Sequence, residues 1–361
     1  MAPSTARLDH PVTFGLVTVH PPHPLPDALV RHPLLRRHAL DAGLTAHELR
    51  GPHWNRPMRG LYRWSEPRFD VVDRITEVAA LLPPGAAIGG WASLWWQGAT
   101  DLDGRADLRV NRVSALPRSR AAVPRTREAS LRSMPGLTPV LVCLGPGARI
   151  RPRLEIDISR RRLPEEDVLE IDGIPFVRAP RCAVDLIGRQ PPELGLASID
   201  AAIRGGATTA GAVQRYLDLH LGVHAHPKVL RVVGLADGRA RSRPESVMRW
   251  IWVVVAGLPR PLVNAEICDS SGSLAGIPDL LDLEAGLVGE CDGAHHRELR
   301  QHTSDNIREE LFEGLNLEVV RATSIDLWSR RPELVRRILA KHRRGSNRDR
   351  SRDAWYLRRA A

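Results

Sequence analysis

Residues 276–296 read GIPDLLDLEAGLVGECDGAHH. Two short apolar runs have the leucine, valine and glycine of buried strands, yet they deliver Asp279, Glu290 and Asp292 and then the pair His295 and His296. Side chains alternate between the faces of a strand. Val288, Glu290 and Asp292 are therefore expected on one face, and Leu287, Gly289 and Cys291 on the other.

A buried carboxylate without a partner is costly. Two on one face, with Asp279 on a neighbouring strand, repel each other unless a cation lies between them. Oxygen ligands suit a hard divalent ion, and Mg²⁺ asks for only one or two carboxylates besides waters and a phosphate. The pattern predicts that the acidic cluster cradles a hard divalent ion, Mg²⁺ (or Mn²⁺), and that the chemistry is done on a phosphodiester. His295 or His296 would move a proton or touch the phosphate. Blander readings stay open here. Glu245 is also placed to cap its helix, His296 to lie at the surface, and Asp292 to accept from Arg308 or a backbone amide. The acids as a set could equally pair with arginines in a purely structural domain.

Outward from this stretch, Ser242-Arg-Pro-Glu245 is a capping box that opens a helix, with Met248, Ile251 and Val255 on its inner stripe and Gly257-Leu-Pro259 at its end. LVNAEIC, LAGIPDLLDL and GLVGECDG read as three strands. Ser304 caps a further helix, DNIREELFEG, with Ile307, Leu311 and Leu315 on one face; Asp305 and Arg308 cap and pair on its surface or line the groove. NLEVVRAT closes as a final strand, and 331–361 begins helical and frays into a basic tail.

In that order, the helix with Glu245, Pro278-Asp279, Glu290-Cys-Asp-Gly293, the two histidines, the Asp305-x-x-Arg308 helix and the closing strand resemble a PD-(D/E)XK nuclease domain. The likeness is to the group related to very-short-patch-repair endonucleases and covers roughly Ala240 to Trp328. It implies a restriction-endonuclease-like α-β-β-β-α-β fold. Asp279 and Glu290 would bind Mg²⁺, with the Cys291 carbonyl as a third ligand. Glu245 would supply the helix-borne acid, and Asp292 with His295 or His296 would assist the attacking water. The lysine of the generic motif is replaced by Asp292.

At the other end, PLLRRHAL predicts a short helix stopped at Asp41-Ala42-Gly43, and Thr45-Ala-His-Glu48 a capped second helix. HWNRPMRGLYRW predicts a hairpin turning at Gly60, with Arg50, Arg56, Arg59 and Arg63 as phosphate contacts or simply a solvated surface. This outline resembles the winged helix of abortive-infection type IV antitoxins (the AbiEi family), and LLPPGAAIGGWASLWWQG and APRCAVDLIG extend the likeness. It implies DNA binding, repression and a cognate toxin, or a repair or defence partner.

The expected organisation is a lead-in (1–30), a winged helix (31–70), a mixed α/β middle region (71–225), a linker, the nuclease-like domain (240–330) and the basic tail (331–361). Asp157, Asp185 and Asp200 form no recognisable site, and Trp91, Trp95 and Trp96 read as core. A net charge of +10, nearly all arginine with lysine only at 228 and 341, favours a polyanionic partner or reflects codon bias. Four scattered cysteines without a CxxC pair fit a reducing interior. The opening residues make a poor signal peptide, and no apolar run spans a bilayer, so a cytoplasmic protein with DNA as partner and no membrane is expected. Oligomeric state is not legible. A non-catalytic antitoxin-like regulator, whose nuclease fold only grips DNA, is the alternative to an endonuclease.

Overall fold

The computed structural model describes residues 33–64, 70–105, 136–220, 226–292 and 309–358. The chain divides into two compact units, Met1–Arg68 and Phe69–Ala361.

In the first unit, β1 (Leu34–Leu35) runs into α1 (Arg36–Asp41), which stops where Gly43 takes a positive φ of 92°. The Thr45–Glu48 capping box forms, with Glu48 Oε2 accepting from the Thr45 N–H at 2.6 Å and Thr45 Oγ1 from the Glu48 N–H at 3.1 Å. It opens only a 3₁₀ turn, Glu48–Arg50, not the expected helix, because Gly51 is already extended. The hairpin β2 (Trp54–Met58) and β3 (Leu61–Trp64) turns at Gly60, at φ 82°, and the sheet order is β1-β3-β2. Ala39, Leu44, Leu49 and Trp54 form its core.

The second unit is a mixed α/β body. It begins with α2 (Val71–Ala79), β4 (Ala86–Gly89), α3 (Gly90–Trp96), β5 (Val140–Leu144), β6 (Ile156–Ser159), β7 (Val168–Ile171) and β8 (Ile174–Val177). These strands make a five-stranded sheet, β6-β5-β4-β8-β7. Trp91 is buried with its Nε1 donating to the Pro139 carbonyl, and Trp96 stacks on Phe176, as a core role for the tryptophans requires. Four helices follow: α4 (Ala179–Arg189), α5 (Pro192–Arg204), α6 (Ala210–Leu219) and α7 (His226–Leu235).

The expected linker is packed structure. Ala240 is fully buried, and the Asp237 N–H donates to Asp200 Oδ1 at 2.8 Å. Helix α8 (Arg243–Trp250) then packs on α5, and Trp250 joins Ile187, Leu196 and Val229 in one core. Asp200 meets Arg249 Nη2 and Ser246 Oγ at 2.5 Å each, all three being buried. The expected division between 225 and 240 is thus crossed by a hydrophobic core and a buried ion pair.

A π turn, Ile251–Val255, continues α8. Its widened bonding, Ala256 N–H to the Ile251 carbonyl, adds a residue to the turn and shifts the inner stripe. Met248, Ile251 and Trp252 are fully buried, whereas Val255, expected inside, is 51% exposed.

Two of the three expected strands are each broken in two. LVNAEIC yields β9 (Leu262–Val263) and β10 (Ile267–Asp269), separated by Asn264 at φ 48°. LAGIPDLLDL yields β11 (Leu274–Gly276) and β12 (Leu280–Asp282), separated by Ile277-Pro278-Asp279. At each break the chain changes sheet. The remaining elements are β13 (Leu287–Cys291), a helical stretch over 309–314, β14 (Glu318–Ala322), α9 (Ser324–Trp328), α10 (Arg331–Ser346) and β15 (Trp355–Leu357). One sheet runs β14-β13-β12-β9, with β13 and β14 parallel and the other neighbours antiparallel; the other runs β11-β10-β15.

The tail does not fray over its described part. Leu334 and Ile338, four apart on α10, are fully buried, and β15 pairs with β10. The Arg348 guanidinium donates to Asp353 and to the Glu284 carbonyl. β14 is accordingly not the last strand. On the helical stretch before it, Phe312 and Leu315 are buried, while Leu311, expected on that face, is 44% exposed. No helix among the described residues is long and apolar enough to cross a membrane.

Candidate functional site

β13 separates two hydrophobic cores. Leu287 belongs with Met248, Trp252 and Leu280, and Val288 with Ile267, Leu281 and Phe312. Gly289 faces the first set so closely that a Cβ there would lie 2.9 Å from Met248 Cε. Cys291 Sγ, two residues on, lies 3.4 Å from Met248 Sδ. Alternation therefore sends Glu290 to the Val288 face, as expected from the sequence.

The antiparallel register pairs Leu280 with Gly289 and Leu281 with Val288. Asp279 stands one residue before Leu280 and Glu290 one residue after Gly289, so the two acids flank the last pair of this register. Asp279 sits at the corner where the chain enters β12, and Oδ2 accepts from the Cys291 N–H at 2.7 Å. Its own carbonyl accepts from the Asn264 N–H at 3.1 Å.

Asn264 extends this chain of bonds to Glu245. Glu245 is buried, and its Oε2 accepts from Asn264 Nδ2 and from the Arg241 N–H, each at 2.8 Å. Ser242 Oγ accepts from the Glu245 N–H at 3.4 Å, so half of the capping box forms while the glutamate side chain reaches one residue further back. Glu245, Asn264, Asp279 and the β13 backbone are one hydrogen-bonded run. Sequence reasoning missed Asn264. Its signal is a residue that tolerates left-handed backbone, set within an apolar run.

All four predicted acids act on one sulfur. The Cys291 thiol is pushed well above the ordinary range by burial, and further by the charges of Asp279, Glu245, Glu290 and Asp292. The fold thus gathers carboxylates from a helix, a strand entrance and a strand end.

Arg321 is the second residue that sequence reasoning missed. It is the parallel register partner of Glu290, and its Nε lies 3.9 Å from Asp292 and 3.6 Å from Glu309. The signal is a lone cation inside the apolar strand EVVRA. Arg308, expected as the partner of Asp292, lies outside the described residues, as do His295, His296 and Asp305. Asp292 is anchored by its N–H, which donates to the Ala322 carbonyl at 2.9 Å.

Among the described residues, no group of three or more His, Cys, Asp or Glu side chains is gathered tightly enough to hold a metal ion. In the first unit, Arg50, Arg56 and Arg59 are exposed and Arg63 is half-buried. Arg56 and Arg63 stand on β2 and β3, with Arg59 at the turn between them. The Arg50 guanidinium donates to the Ala46 carbonyl at 3.1 Å.

Compared with protein-family models, curated proteins and solved structures, the chain finds no match.

Proposed function

We propose that the region from Ala240 onward is a PD-(D/E)XK-type phosphodiesterase domain acting on DNA. The observation that carries this reading is that Asp279, at the entrance to β12, accepts from the β13 backbone at Cys291, next to Glu290, with Glu245 tied in through Asn264. The element order supports it: a helix bearing an acid, three antiparallel strands, a helical stretch, and a fourth strand parallel to the third. This order is compatible with an α-β-β-β-α-β plan, the β10–β11 hairpin lying between β9 and β12.

Asp279 and Glu290 would hold Mg²⁺ or Mn²⁺. When bound, such an ion lowers the pKa of water and offsets charge on the phosphodiester. The Cys291 N–H fixes the rotamer of Asp279, so that donor is set before any ligand arrives. Arg321 puts a permanent positive charge at the acidic strand end, where the generic motif carries lysine and this chain carries Asp292. The three-stranded unit with Arg50, Arg56, Arg59 and Arg63 would be a winged helix that adds affinity through phosphate contacts.

The test is nicking of supercoiled plasmid by the purified protein with Mg²⁺ or Mn²⁺. Cleavage is expected from the wild type and not from Asp279→Ala or Glu290→Ala. A wild type that cuts no form of DNA with either ion overturns the reading. The exposed arginines of the β2–β3 hairpin favour the second reading, a DNA-binding regulator without cleavage. DNA binding that survives Glu290→Ala, with no cutting by either protein, would establish it.

A further inference from the structure

The five-stranded sheet offers a different kind of strand end. β5 and β6 run parallel, with Cys143 beside Ser159 in register, so both strands finish at the same edge. In open α/β sheets, ligands favour the crevice beyond the carboxyl ends of parallel strands. A cavity of about 430 Å³ lies there, lined by the segment after β5 and the segment after β6. Its walls include Gly145, Gly147, Arg149, Arg160, Arg161 and Arg162, and no carboxylate is among its lining residues.

Both walls are fixed. After β5, the Ala148 N–H donates to the Gly145 carbonyl at 3.2 Å, closing a turn over Pro146 and Gly147. Gly147 stands at φ 74°, the third-position geometry of a type II turn, for which glycine is the fitting residue. The Gly145 N–H bonds the Gly85 carbonyl at 2.9 Å, tying the turn to the chain entering β4. After β6, Arg161 pairs with Asp185 at 2.8 Å, and Asp185 also binds Arg181. Arg181 donates to the Arg162 carbonyl at 3.3 Å and is itself held by Asp167 and Tyr216.

This scaffold neutralises Arg161 and leaves three arginines over. Arg149, Arg160 and Arg162 are exposed, and among the described residues none has a carboxylate within ion-pair distance. Arginines gathered on pre-set backbone suit an anion, since the guanidinium fork matches two phosphate oxygens at once.

We propose that this cavity binds the phosphate groups of a compact ligand, a mono- or oligophosphate ester of nucleotide size. A concavity of this volume falls among small-molecule sites. The duplex backbone instead calls for cations spread along a surface. The inference does not rest on the phosphodiesterase reading.

Calorimetric titration with inorganic pyrophosphate, AMP and ATP at low salt tests it on the full chain. Binding is expected for the wild type and for Arg151→Ala, an exposed neighbour outside the cavity lining. The double variant Arg160→Ala/Arg162→Ala should bind at least about tenfold more weakly, the scale of a lost charge-assisted contact. Absence of binding to all three probes by the wild type, or equal affinity in the double variant, overturns the proposal. So does a double variant that keeps pyrophosphate and nucleotide binding but loses affinity for a DNA duplex, which would assign these arginines to the phosphodiester backbone.

Discussion

Two parallel strand pairs in one body end in opposite charge. β13 and β14 finish at Glu290, Cys291 and Asp292, where burial first and then the charges of the surrounding acids push the Cys291 thiol upward. β5 and β6 finish among Arg149, Arg160, Arg161 and Arg162. The backbone supplies the same thing in both places, the carboxyl end of a parallel pair. The side chains make the difference, carboxylates at the first and arginines at the second. Fold and chemistry are separable here, which is why architecture alone never names a function.

The comparison presumes that both ends belong to one cooperative body, and the buried Asp200–Arg249 pair is where that can be broken. Arg249 is fully buried, and its Nε and Nη1 have no hydrogen-bond partner among the described residues. Asp200→Ala would strand the guanidinium, and a loss of roughly 3–5 kcal/mol is expected. Urea unfolding followed by tryptophan fluorescence should show it. The tryptophans of the second unit should report a single transition; two separated transitions within Phe69–Ala361 would mean that its sheets are independent domains after all.

A smaller effect sharpens the acidic end. Arg321 is the cation lodged among the carboxylates, so Arg321→Ala should slow metal-dependent nicking by roughly 10–100-fold, the range for residues that orient ligands. Arg321→Lys should recover part of it, whereas a merely structural arginine would show no difference between the two at equal stability.

The smallest effect reads the acidic potential directly. Negative neighbours disfavour thiolate, so removing one must lower the Cys291 pKa and raise the thiolate fraction at any fixed pH below it. Asp279→Asn should therefore speed alkylation of Cys291 by iodoacetamide at pH 8 severalfold, scored by peptide mass spectrometry. Cys143, whose thiol is pushed up to about 12 chiefly by burial, serves as the unreactive internal reference. An unchanged Cys291 rate would show that the four acids do not share one potential.

Much of this was legible in residue pattern. Ser242 caps where its sequence says, and the hairpin of the first unit turns at Gly60. What failed was whatever depends on partners distant in sequence. LVNAEIC shows one apolar run, and nothing in its periodicity reveals that Asn264 bends the chain into a second sheet while bonding Glu245. Within NLEVVRAT nothing names the partners of Arg321, because its acidic neighbours come from elsewhere in the chain. The basic tail misled for another reason: its arginines hid the spacing of Leu334 and Ile338, which anchor α10 in the core.

The pairing of β15 with β10 sets a timetable for biosynthesis. Ile267 waits for Leu357, and Glu266 for Arg358, so that small sheet stays incomplete until residue 358 has left the ribosome. Until then β10 has an uncovered edge on a nascent chain, the kind of surface that invites wrong partners. Ribosome-bound truncations ending before Trp355 should accordingly be more sensitive to protease across 262–276 than the released protein.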